Sequence, residues 1–217
     1  SLGSDDVSDG FRIDGADNRD FMFTNITFRS DDGGELVTFN GDNLSNFTFD
    51  GVTMDSDDSA EAFDMFGNNY TNFTFRNFTF TGNDSGGFME SFGDNYSNFT
   101  FENINITVDD SGGGFDFCGD NYSDFRFTNI TFDTDDGGDL FRFDTDADNY
   151  SNFTIDTVTV TADDSGSFFQ SDADGYNNFT IRNVTVLSEE IPGINFFDAN
   201  NNTNFTFENI TISTIDS

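Results

Sequence analysis

The sequence predicts an all-β fold, a single-stranded parallel β-helix (β-solenoid) of about eight coils. Two observations carry this: one motif recurs at a fixed step, and apolar and polar residues alternate inside it. The recurring strings are DFMFTNITF at 20–28, NFTFDGVTM at 46–54, NFTFRNFTF at 72–80 and NFTFENINI at 98–106. They continue as DFRFTNITF at 124–132, NFTIDTVTV at 152–160, NFTIRNVTV at 178–186 and NFTFENITI at 204–212. Their first aromatics, Phe21, Phe47, Phe73, Phe99, Phe125, Phe153, Phe179 and Phe205, advance by 26 residues at every step but one, which is 28. A fixed period of this length is the signature of a stacked repeat. The coils fall near 1–30, 31–56, 57–82, 83–108, 109–134, 135–162, 163–188 and 189–217, and they read as a single repeat domain.

Each coil is expected to hold three short strands. Phe73-Thr74-Phe75 and Phe78-Thr79-Phe80 alternate with period two, as strands with one buried face do. Arg76-Asn77 lies between them as a two-residue turn, and Asn tolerates a left-handed backbone better than most residues. Upstream, Phe115-Asp116-Phe117 is a third apolar stretch, set between an Asp/Gly turn and an Asn-Tyr-Ser turn. The longer step fits an insertion in FRFDTDADNYS. Parallel pairing of equivalent strands about 4.8 Å apart gives a rod on the order of 40 Å long. Inward Phe then stacks in ladders, each ring contributing roughly 1.5–3 kcal/mol.

Composition limits function. The chain has 217 residues, 32 Phe, and 42 Asp+Glu against seven basic residues, a net charge of -35 with no His. All seven basic residues are Arg. Such a surface repels nucleic acid and anionic membranes, which bind through Lys and Arg clusters. No apolar run is long enough for a membrane helix. Self-repulsion destabilises a compact acidic chain, and salt screens it. The excess of Asp with no Lys resembles the composition of proteins from halophilic archaea and suggests a salty or divalent-rich setting. Cys118 is the single cysteine, so no internal disulfide framework exists. It shares a column with Phe66 and Phe92 and is expected to be a buried, apolar thiol. The start at Ser1 suggests a processed piece.

The phrase NFTFENITI also resembles the right-handed parallel β-helix repeat of pectate-lyase-like proteins. In that family the two-residue turn carries stacked asparagines. The matching column here is Asn25, Asn77, Asn103, Asn129, Asn183 and Asn209, with Gly51 and Thr157 as departures. The resemblance implies right-handedness and an asparagine ladder, and the column is expected to point inward to satisfy backbone groups. It implies little about activity. Family enzymes cleave acidic polysaccharides with calcium plus a base, or with clustered Asp. Here Arg76, Arg126, Arg142 and Arg182 do not share one column, and the Asp pairs repeat coil after coil. A catalytic pair needs two different environments at one place. The expectation is therefore no enzyme.

Three other groupings point to chemistry. Calcium takes six to eight oxygens from Asp, Asn and carbonyls. The candidate ligands are Asp109, Asp110, Asp135, Asp136, Asp163 and Asp164 in the turns, and Asp144, Asp146 and Asp148 at alternate positions. Asn-x-Ser/Thr sequons number about nineteen, each a surface acceptor for an N-linked glycan. The best acceptors are the turn column Asn43, Asn69, Asn95, Asn121, Asn149 and Asn201. Next is the strand-start column Asn46, Asn72, Asn98, Asn152, Asn178 and Asn204, expected to face outward. Outward Thr rows, such as Thr48, Thr74 and Thr100 or Thr53, Thr79 and Thr131, resemble flat ice-binding arrays but also suit strand propensity.

No amphipathic capping helix is visible at either end, and solenoids usually cap their open edges. End-to-end association would continue every ladder and generate a filament. The sequence thus reads as an extracellular or cell-surface structural solenoid, a filament subunit or a segment of a fibre or adhesin. It is expected to be acid-coated and N-glycosylated, with possible cell-surface glycans as partners. The alternative is a polysaccharide-binding or polysaccharide-degrading β-helix.

Overall fold

The structure is a computed structural model that describes residues 2–5, 9–31, 33–58, 60–110, 112–143, 148–163, 166–189, 193–196 and 201–214. It is an all-β parallel β-solenoid of about seven turns of about 26 residues, with no helix among the described residues. Eight copies of a motif enclose seven steps, which is why about eight expected coils close as about seven turns.

Each turn contains one long and one short strand. The long strands are Ser45–Asp57, Thr71–Asn83, Ser97–Asp109, Ser123–Asp135, Ser151–Asp163, Asn177–Ser188 and Thr203–Thr214. In the first copy the long strand is split into Arg19–Thr24 and Thr27–Asp31. The short strands are Asp9–Ile13, Glu35–Phe39, Phe63–Met65, Met89–Ser91, Phe115–Phe117, Phe141–Phe143, Phe169–Ser171 and Ile194–Phe196. Long strands and the pieces of the first copy, with Leu2–Asp5, make a 10-stranded sheet; the short strands make an 8-stranded sheet. Phe47, Phe73, Phe99 and Phe125 meet in register, as the 26-residue period requires.

The expected three strands per coil are corrected to two. The first two strands join into one bent strand, because a single left-handed residue turns the chain without breaking the ladder on either side. In Ser97–Asp109, Phe99 and Phe101 are buried, Glu102 and Asn103 are both exposed, and Ile104, Ile106 and Val108 are buried. Two consecutive outward residues restore the inward alternation after the bend, and Asn103 supplies the conformation with φ 57°.

The core is a stack of rings. Phe73, Phe99 and Phe125 lie parallel at centroid spacings of 4.9 and 4.7 Å. Phe75, Phe101 and Phe127 repeat this at 4.9 and 4.8 Å. The period sets that spacing, and offset parallel rings gain about 0.5–1.5 kcal/mol beyond area burial. All five tyrosines, Tyr70, Tyr96, Tyr122, Tyr150 and Tyr176, are buried too. The turn thus exposes its asparagine and buries its tyrosine. Tyr122 Oη donates to Gly93 O at 2.7 Å, and Tyr96 Oη to Gly67 O at 2.7 Å. In the coils that carry glycine the approach is close: a Cβ on Gly93 would stand 1.9 Å from Gly67 O and 2.7 Å from Tyr96 Oη, whereas a later coil takes the buried Ala173 at the equivalent position.

Candidate functional site

Left-handed residues recur at four positions per coil and make its corners. The first comprises Asn43, Asn69, Asn95, Asn121, Asn149 and Asn201; the second Asn46, Asn72, Asn98, Asn152, Asn178 and Asn204. The third is the strand bend at Asn25, Asn77, Asn103, Asn129, Asn183 and Asn209. The fourth is aspartate: Asp58, Asp84, Asp110 and Asp136, with φ of 48, 48, 48 and 49°. An ordinary L-residue pays roughly 1–2 kcal/mol for this conformation, and Asn and Asp pay least.

The bend column is a ladder, but it runs along the outside of the molecule. All six of its asparagines are exposed. Asn103 Nδ2 donates to Asn77 Oδ1 at 3.1 Å, and Asn129 Nδ2 to Asn103 Oδ1 at 2.8 Å. The inward expectation is therefore corrected. Phe101 and Ile104, on either side of the outward pair, fill the interior, and a side chain at the corner itself points away from it.

The two departures in this column are compensated. Gly51 and Thr157 bring no amide, and each follows an aspartate. Asn77 Nδ2 donates to Asp50 Oδ1 at 2.8 Å, and Asn183 Nδ2 to Asp156 Oδ1 at 2.9 Å. The same aspartates take Arg76 at 2.9 Å and Arg182 at 2.6 Å. Arg182, then Asn183 and Thr157, hold the buried Asp156 carboxyl below its usual range. Asn77 and Arg76 do so for Asp50. Arg142 bridges Asp116 at 2.9 Å. These three arginines, scattered along the sequence, each pair with the acid one coil earlier.

Both sequon columns are exposed, with the strand-start asparagines outward as expected. They too form ladders. Asn69 Nδ2 donates to Asn43 Oδ1 at 3.1 Å, Asn72 Nδ2 to Asn46 Oδ1 at 3.0 Å, and Asn178 Nδ2 to Asn152 Oδ1 at 3.0 Å. The same nitrogen would carry a glycan, which would leave it one N–H in place of two. Sequon density thus has a structural cause: a left-handed Asn followed by an inward ring and an outward Ser or Thr.

Of the calcium candidates, Asp109, Asp110, Asp135, Asp136 and Asp148 are exposed and Asp163 is half-buried. Asp144, Asp146 and Asp164 lie outside the described residues. Asp109, Asp135 and Asp163 are register neighbours, so the structure brings them into one acidic row. Cys118 is half-buried, and its column mates Phe66 and Phe92 are 44% and 43% exposed. This corrects the buried thiol: the column lies one residue past the inward end of the short strand.

Sequence reasoning missed the centre line of the short-strand sheet. Arg12, Thr38, Asp64, Glu90, Asp116, Arg142 and Gln170 are register neighbours along it. A groove of about 470 Å³ runs there, bordered by Glu61, Glu90, Asp116, Asp139, Arg142 and Gln170. At one end, Glu61, Asp64 and Glu90 bring carboxylate oxygens within 4.8 Å of one another. Asp64 is 3% exposed, and its Oδ1 has no hydrogen-bond partner. Burial, then the charges of Glu61, Glu35 and Glu90 and a hydrogen bond with Glu35, push its carboxyl up to about 8. Position-specific departure from the repeat, Asp then Glu where neighbouring coils carry Thr and Asp, was the signal available in the sequence.

No protein-family model matches this sequence, and no curated protein matches it. Among solved structures, the A-module of mannuronan C-5 epimerase AlgE4 from Azotobacter vinelandii is weakly similar, 10% identical over 99% of this chain and 91% of that one. Its TM-score is 0.18, and it carries no argument about activity.

Proposed function

We propose that this chain is an extracellular structural solenoid, a filament subunit or fibre segment, acid-coated and N-glycosylated. The supporting observation is that the outward chemistry is columnar. Three asparagine columns and one aspartate column continue from coil to coil, and most acids repeat rather than converge. The ring ladders also run on to the outermost coils described. Phe21 is 39% exposed beside Phe47 at 5.0 Å, and Phe207 is 48% exposed. Another coil, from a second copy or from more of the same chain, would cover these rings and pair the edge strands. The acids and the exposed ladders then make the wall, in a salt-rich or calcium-rich medium, and surface glycans are its partners.

Sedimentation and electron microscopy of the full chain at rising concentration, in high salt with and without calcium, test this. The reading expects rods lengthening by whole molecules; a monomer throughout overturns self-assembly. Mass measurement of native material before and after enzymatic deglycosylation tests the sugars, with an unchanged mass overturning them. The groove favours a second reading, a carbohydrate-binding solenoid using Glu90, Asp116 and Gln170. Its acids fit a neutral or cationic sugar better than an acidic one. Glycan-array binding lost on Asp116→Ala supports it, and absence of binding removes it.

A further inference from the structure

Glu35, Glu61, Asp64 and Glu90 come together where three successive coils meet. Asp64 is the centre of Phe63–Met65, Glu90 is its register neighbour in the next coil, and Glu61 stands in the turn just before Phe63. Gly86 keeps room for Glu61: a Cβ there would lie 2.7 Å from Glu61 Oε1. The arrangement is not a solvated acidic face. Asp64 is 3% exposed and its Oδ1 has no partner. Thr38, its register neighbour one coil earlier, is 2% exposed and its Oγ1 also has no partner.

Burying an unpartnered carboxylate oxygen is strongly unfavourable unless something compensates it. A proton shared between Asp64 and Glu35 lowers that cost but leaves Asp64 Oδ1 without a partner. The spacing suits a cation: oxygens at about 2.3–2.6 Å from one calcium-sized ion lie at most about 5 Å apart. The three carboxylates offer oxygens within 4.8 Å. The donors are all oxygen, which selects a hard ion over a soft one. The groove beside Glu61 and Glu90 opens a path to solvent.

We propose that Glu61, Asp64 and Glu90, with Glu35 at the margin, hold one divalent cation of the calcium class that ties consecutive coils together. The site is separate from the turn aspartates and independent of the filament reading, because it needs only one chain. The test is calorimetric titration of CaCl2 into the chelator-treated full chain in 1 M NaCl, where diffuse binding to surface acids is suppressed. The expected result is one saturable site per chain, weakened at least tenfold by Asp64→Asn and by Glu90→Gln, and kept by Asp110→Asn. Thermal unfolding gives the second readout. In chelator, Asp64→Asn should melt no lower than wild type, since an amide replaces a buried carboxyl crowded by three other acids. With calcium, wild type should gain several degrees and the variant should not. The proposal is overturned if wild type binds no better than Asp64→Asn, if both carboxylate variants keep wild-type affinity, or if Asp110→Asn is the variant that loses the site.

Discussion

Replacing Asn103 separates the two jobs of a corner asparagine. Its backbone sits at φ 57°, its Nδ2 donates to Asn77 at 3.1 Å, and its Oδ1 accepts from Asn129 at 2.8 Å. Asn103→Ala loses both bonds and also the short polar side chain that lets asparagine tolerate the left-handed region. An exposed hydrogen bond nets about 0.5 kcal/mol at the low end of the usual range, and the conformation costs roughly 1–2 kcal/mol. The expected loss is about 2–3 kcal/mol. Asn103→Gly loses the same bonds without the steric penalty, and extra freedom of the unfolded chain adds about 0.5–1 kcal/mol. Its expected loss is about 1.5–2 kcal/mol. Urea unfolding followed by far-UV circular dichroism in 1 M NaCl measures both. If the alanine variant is as stable as the glycine variant, left-handed strain is not what selects asparagine. If neither loses stability, the external ladder is a by-product of coil spacing.

Three further outcomes follow from the same geometry. Tyr122→Phe removes a hydroxyl that donates at 2.7 Å to Gly93 O and should cost about 1 kcal/mol in the same urea assay, whereas Gly93→Ala should cost more, because the turn must shift toward the packing that accepts Ala173; a Gly93→Ala chain as stable as wild type contradicts the close approach to Gly67 O. Asp156 has a lowered folded-state carboxyl, so its stabilising share is full above the unfolded value near 3.8 and disappears as pH falls through the lower folded value. The stability gap between wild type and Asp156→Asn should therefore close between pH 5 and about pH 2, and a gap independent of pH counts against the Arg182 pairing. With a net charge of -35, the melting temperature should climb steeply from 0.05 to about 1 M NaCl, as the Debye length contracts toward 3 Å. A flat profile means that self-repulsion is not what limits this fold.

Much of the architecture is legible in the residues. A fixed step of 26 dictates in-register stacking, and alternation around Phe73 and Phe75 dictates which face is inside. What the sequence hides is direction at the corners. Asn77 and Asn103 sit between two inward residues in the string, and nothing local says that a left-handed residue turns its side chain out. Tyr122 looks like a turn residue because Asn and Ser flank it, yet its hydroxyl finds carbonyls of the preceding coil. Cys118 shares a column with phenylalanines, but that column is outside, so the company of aromatics misleads. The acid cluster was hardest to see. Glu61, Asp64 and Glu90 are spread over thirty residues and become neighbours only after the coils close.

The uniform register has a consequence for how such a chain can change. Because Asn103 and its neighbours bond partners 26 residues away, and equivalent residues in adjacent coils do the same, removing one whole unit rejoins surfaces that already match. Length is then an adjustable quantity, altered by duplication or loss of a unit without redesigning any interface. The exception is the 28-residue step, where Tyr122 and Tyr150 meet edge to face at 89° although Tyr96 and Tyr122 lie parallel at 2°. That seam has no interchangeable copy, and a family of shorter and longer chains built this way would be expected to keep it while the coils on either side come and go.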